Sequence, residues 1–157
     1  MLILTLLLVA QLGRNHLKVI DCPRFSIAVS TEKESFTAGE PIVLAVSARN
    51  NGSKVLVLEN TYHPEWDYKL DVRTEAGETV SLTEEGRHLV KDIAIYASTN
   101  VDIHPGQEIE KDFLISKLFE MTTSGTYSIT VKRQFFVPDL DVYRTAISNT
   151  VKVTIAP

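Results

Sequence analysis

One cysteine stands in 157 residues, so no internal disulfide can form. Cys22 reads as a small linker residue, with a free thiol or an intermolecular partner as the alternatives. Clustered basic charge is also missing. Lys and Arg total 16 against 20 Asp and Glu, for a net charge of −4, and no basic stripe stands out. Nucleic-acid binding is therefore not expected, because phosphate neutralisation needs Lys and Arg gathered on one face. No apolar run reaches the roughly 20 residues that a membrane-spanning helix takes. No His-Glu-x-x-His pattern occurs, no Ser sits in a nucleophile elbow, and no internal repeat or low-complexity segment appears. Catalytic, metal and cofactor sites are accordingly not expected.

What is present suits one soluble globular domain. Hydrophobic residues make up 44% and charged residues 23% of the chain, enough for a core that needs no disulfide or metal. Residues 1–10, MLILTLLLVA, carry no charge and fit the apolar core of a secretory signal, although no Lys or Arg precedes them. Residues 1–23 are read as a signal-like segment and linker, and 24–157 as the folded domain. The alternative for the apolar run is a strand or helix packed on that domain. A secreted, periplasmic or cell-envelope location follows from the first reading, with membrane contact only through an uncleaved amino terminus.

Period-two alternation dominates the rest. Gly125-Thr126-Tyr127-Ser128-Ile129-Thr130-Val131 puts Tyr127, Ile129 and Val131 on one face and polar residues on the other. Its Gly-x-Tyr opening suits a tyrosine corner, with the ring in the core and the phenol bonded back to the preceding connection. Phe25/Ile27/Val29, Ile42/Leu44/Val46/Ala48 and Val151/Val153/Ile155 alternate in the same way. So do Tyr68/Leu70/Val72, with Asp67, Lys69, Asp71 and Arg73 expected to face solvent. Asn51-Gly52 predicts a tight hairpin with positive φ at both central residues, and Glu84-Glu85-Gly86 a further turn. Residues 116–121 predict one helical turn, capped by Ser116, that crosses between sheets. The reading is all-β: an immunoglobulin-like antiparallel sandwich of eight or nine strands with one short helical turn.

These residues resemble the immunoglobulin-like sandwich superfamily, in its disulfide-free bacterial branch, because Ile129 stands where antibody domains carry Cys. Within it, Trp66 to Val72 followed by Glu75 to Val80 looks like the middle hairpin of the bacillus-type intracellular proteinase inhibitor family. Residues 116–131 are similar to the closing part of the amino-terminal domain of deuterolysin-type metalloproteases. The first likeness implies a loop that occupies a protease cleft. The second implies an accessory domain of a secreted enzyme system.

Two places invite a binding role. Residues 134–148 read as a long connection rich in apolar side chains, and Phe135, Phe136, Pro138, Leu140 and Tyr143 are the candidate contacts for a protein partner. His63 and Trp66 are a second candidate pair. His63-Pro64-Glu65-Trp66-Asp67 matches no metal-ligand spacing, and alternation assigns Trp66 and Tyr68 to core packing in preference to an aromatic platform. Asn51-Gly52-Ser53 is formally a glycosylation acceptor, for which the turn reading suffices. The expected function is a non-enzymatic binding or structural module that engages a protein through its end loops. A proteinase inhibitor and an accessory domain of a larger secreted enzyme system are the alternatives.

Overall fold

The computed structural model describes residues 24–61, 67–91 and 98–157. The chain forms β1 (Phe25–Thr31), β2 (Ser35–Thr37), β3 (Val43–Asn50), β4 (Leu56–Asn60) and β5 (Tyr68–Thr74). Then come α1 (Glu84–Lys91), β6 (Thr99–Ile103), β7 (Glu108–Leu114) and α2 (Ile115–Leu118). β8 (Gly125–Val137), a 3-10 turn at Pro138–Leu140, β9 (Val142–Ile147) and β10 (Val151–Ala156) complete it. The architecture is the expected all-β sandwich.

One sheet has the order β1-β3-β7, all antiparallel. The other runs β2-β10-β8-β4-β6, with β5 and β9 also paired to β8. The short β2 lies parallel to β10, so the first strand region contributes to both sheets. Leu44, Val46, Ala48 and Phe113 from one sheet are buried with Val72, Ile129, Val131 and Val153 from the other. The period-two patterns of β1, β3, β8 and β10 therefore face each other, as burial of one face requires.

Tyr127 is buried, and its Oη donates to the carbonyl of Thr123 at 2.7 Å. That is the expected corner: a core ring whose hydroxyl satisfies a carbonyl of the incoming loop. Buried Asn50 does a similar job at the opposite end of the strands. Its Nδ2 donates to the carbonyls of Lys54 and Ile103, both at 2.8 Å, and its Oδ1 accepts from the Gly52 amide at 2.9 Å. The β3–β4 turn is thus organised by a side chain, and Gly52 does not take the positive φ expected of it.

Several other local expectations are corrected. Residues 84–86 open a two-turn helix, because Thr83 Oγ1 accepts from the Gly86 amide at 3.0 Å and Glu84 and Glu85 occupy its first turn. Gly86 fits there for want of space: a Cβ would lie 2.3 Å from the Leu118 carbonyl oxygen. Ser116 is not the cap of α2. Leu114 occupies that position, and Ser116 Oγ accepts from the Ile42 amide at 3.1 Å. The helical turn does cross from β7 in one sheet to β8 in the other. Among the described residues there are ten strands where eight or nine are expected, because β2 is only three residues long and β9 occupies a stretch that reads as a connection. No described helix is long and apolar enough to cross a membrane.

Tyr127→Phe should keep the ring in the core and lose only the Thr123 bond. Urea unfolding should show a loss of about 1 kcal/mol. No measurable loss would mean the corner contributes nothing to stability.

Candidate functional site

β8 is 13 residues long and inserts every second side chain into the sandwich: Tyr127, Ile129, Val131, Arg133, Phe135 and Val137. Arg133 is a cation in that row, 2% exposed. Its guanidinium carbon lies 4.3 Å from the centre of the Tyr68 ring, the residue opposite it on β5. Nη2 donates to the Glu59 carbonyl at 3.2 Å and to Asn60 Oδ1. Nη1 lies 3.6 Å from Asp67 Oδ2, an ion pair without a formal hydrogen bond. Asp67 Oδ1 in turn accepts from the Thr61 amide and hydroxyl, both at 2.8 Å.

This cluster corrects the expectation that Asp67 faces solvent. The Asp67 side chain is buried against Arg133. Tyr68, by contrast, takes its expected inward position and packs edge-on to Phe113, with centroids 5.4 Å apart. Burial pushes the Tyr68 phenol pKa above its usual value. The positive charge of Arg133 opposes that shift and the carboxylate of Asp67 adds to it. Arg133 thereby ties the end of β4 to the start of β5 and fixes both ends of the intervening segment. His63 and Trp66 belong to that segment and lie outside the described residues.

The loop expected over 134–148 is mostly strand. β8 continues to Val137, the chain turns through Pro138–Leu140, Asp141 takes a left-handed φ of 53°, and β9 returns along β8. Phe135 is not an exposed contact. It faces inward and packs on Phe25, ring centroids 5.0 Å apart. Phe136 faces outward, partly covered, against the Tyr143 ring at 5.1 Å. Val57 is its partner across β4 and lies on the same face. Leu140 is 41% exposed, Tyr143 61% and Ile147 60%. Pro138 is exposed at the tip, where Asp139 pairs with Lys54 at 3.4 Å. The structure therefore gathers Phe136, Leu140 and Tyr143 on one hairpin and removes Phe135 from the set. Ile147 joins the set from a stretch that reads as a connection in the sequence. Its β-branched neighbourhood, Val142 to Ile147, was the available signal.

The other sheet offers less. A groove of about 450 Å³ crosses the outward face of β1, β3 and β7, over Ala28, Ala45 and Ser47 and beside Glu110 and Asp112. Among the described residues, no three His, Cys, Asp or Glu side chains are placed to hold a metal ion.

No family model matches this sequence, and no curated protein matches it. Among solved structures, it is similar to the CARDB domain of the PF1109 protein from Pyrococcus furiosus, determined in complex with di-metal ions. That likeness has a TM-score of 0.46 at 15% identity and covers 85% of this chain and 93% of that one. A structural-genomics target, SoR45, has a TM-score of 0.46 at 10% identity, with 85% and 86% covered. The β-glucosidase EmGH1 from Erythrobacter marinus has a TM-score of 0.42 at 15% identity, and the likeness spans 85% of this chain but only 16% of the enzyme.

Two outcomes follow from the buried cluster. Arg133→Met should strand the Asp67 carboxylate and cost about 3 kcal/mol of stability. Adding Asp67→Asn should recover part of it, with a coupling of roughly 1–3 kcal/mol in a double-mutant cycle. Additive losses would show that the pair is not coupled. Tyr68 gives the pH test. Its phenol pKa is raised on folding, so its stabilising contribution is complete below about pH 10, the unfolded value, and is lost as pH rises through the folded value. Tyr68→Phe should flatten that alkaline loss in urea titrations across pH 9 to 12. An unchanged slope would overturn the assignment.

Proposed function

We propose that this protein is a non-enzymatic binding module, secreted or attached to the cell envelope, that engages a protein partner through the outward face of the β8–β9 hairpin. One observation supports this reading. Leu140, Tyr143 and Ile147 are three of the four large apolar side chains exposed on the described surface, and all three sit on this hairpin and its turn. The fourth, Val43, lies alone on β3 in the other sheet. Scattered single apolar residues on a surface need no explanation, whereas several gathered on one hairpin mark a contact. Phe136 and Val57 extend the group inward along the same face. An aromatic pair flanked by aliphatic side chains, with Lys54 and Asp139 beside it, has the composition of an interface centre with a polar rim.

The rigidity of the hairpin also fits. Phe135 and Val137 anchor its inner face in the core, so the outer face needs little ordering when it binds. The secreted location rests on the apolar residues 1–10 of the sequence.

The test is a paired capture experiment. Phe136→Asp with Leu140→Asp should leave the unfolding midpoint within about 1 kcal/mol of wild type and abolish retention of the partner. Val43→Asp should retain it. Equal retention by all three proteins would place the contact elsewhere. Stoichiometric inhibition of a serine or metalloprotease that survives the double substitution would replace this reading with the inhibitor one.

A further inference from the structure

The main chain of β9 has a property separate from its side chains. The Ser148 amide donates to the Val131 carbonyl at 2.9 Å, which makes 131 and 148 a hydrogen-bonded pair. Antiparallel ladders alternate bonded and non-bonded pairs. In the observed register, Arg133/Ala146, Phe135/Arg144 and Val137/Val142 are then the bonded pairs. The N–H and C=O groups of Tyr143, Thr145 and Ile147 consequently point away from β8, along the outer edge of β9. Among the described residues no strand pairs with that edge.

The other edges are guarded. On β5, Lys69, Asp71 and Arg73 supply charge, and the Val80 amide donates to the Val72 carbonyl at 2.9 Å. At the edge of β1, the Asn149 side chain takes the place of a neighbouring strand: its Oδ1 accepts from the Val29 amide at 2.9 Å and its Nδ2 donates to the Val29 carbonyl at 3.0 Å. β7 carries Glu108, Glu110, Lys111 and Asp112. β2 is three residues long, and β6 carries Asn100 and Asp102. Short length, charge and side-chain cover are the usual protections against edge pairing. β9 has six residues, VYRTAI, of which Val142, Tyr143, Thr145 and Ile147 are β-prone, with Arg144 its only charge.

We propose that the outer edge of β9 pairs antiparallel with β9 of a second copy of this chain. The edge is self-complementary. With a two-fold axis at Thr145, Thr145 faces Thr145, and Tyr143 faces Ile147 of the second copy. The three residues with outward main-chain groups then bond only to one another. Arg144 falls opposite Ala146, so no like charges meet. Aromatic and β-branched side chains are favourable cross-strand partners, and both lie on the exposed face. The two binding faces would join into one continuous sheet. The inference stands on main-chain geometry, so it holds or fails independently of the partner contact proposed above.

Cross-linking and sedimentation test it. In a Cys22→Ser background, Thr145→Cys should form a disulfide-linked dimer on mild oxidation. Bonded antiparallel pairs have Cα atoms about 5.5 Å apart, within the roughly 4.4–6.8 Å span that a disulfide bridges. Arg144→Cys should not cross-link, since its own counterpart is displaced by two residues. Wild-type protein should sediment increasingly as dimer up to millimolar concentration. Thr145→Pro, which removes an amide that β8 does not use, should stay monomeric. Phe136→Asp with Leu140→Asp should still dimerise, which separates this result from loss of the partner contact. A wild-type protein that stays monomeric at millimolar concentration, or equal cross-linking at 144 and 145, would overturn the proposal. Should Thr145→Pro fail to fold, the cross-linking pair alone decides.

Discussion

The two-residue period of β8 is the constraint on which the rest of the molecule depends. A strand this long, bonded on one edge to β9 and β10 and on the other to β4 and β5, cannot shift register without reversing every side chain. Its inward face must therefore accept whatever stands at every odd position from Tyr127 to Val137. At five of those positions the residue is apolar, and the sandwich closes over it. At Arg133 it is a cation, and a cation can be buried only with compensating partners. The Tyr68 ring, the Asn60 side-chain carbonyl, the Glu59 main-chain carbonyl and the Asp67 carboxylate supply them. A requirement set in one strand thus dictates how the chain leaves β4 and enters β5.

The same period shapes the hairpin. Because Phe135 and Val137 must face inward, Phe136 must face outward, and the matched register sets Tyr143 against it. The exposed group is a consequence of strand geometry and not of a mobile loop. Its inner face is core and its outer face is surface. That division explains why two adjacent phenylalanines have opposite roles.

Much of the fold could be read from the residues. Alternation identified β1, β3, β5, β8 and β10 and their inward faces, and the Gly-x-Tyr pattern located the corner at Tyr127. The misses share one cause. They occur where a distant partner, and not local pattern, decides the outcome. Gly86 looked like a turn residue, yet it sits in a helix against the Leu118 carbonyl. Asn51-Gly52 looked like a tight hairpin, yet Asn50 holds that turn through its side chain. Asp67 looked like one of four exposed charges, yet its partner lies 66 residues away in sequence. Continuing the alternation of Tyr127, Ile129 and Val131 by one step would have placed Arg133 inside and raised the question of its counter-charge.

The candidate surface was legible only in part for a related reason. Apolar content flagged residues 135–143, but composition cannot assign faces until the element type is known. Treating the stretch as a loop put Phe135 and Phe136 together. Treating it as strand separates them and adds Ile147. The step from loop to strand also moves the point of interest from side chains to main chain. A loop tip offers its main-chain groups in no regular array, whereas an edge strand offers a row of amides and carbonyls with fixed spacing. On β9 both kinds of recognition coincide: Tyr143, Thr145 and Ile147 direct their side chains to the exposed face and their peptide groups to the open edge. A surface built this way can present apolar contacts to one protein while its main chain registers another strand alongside.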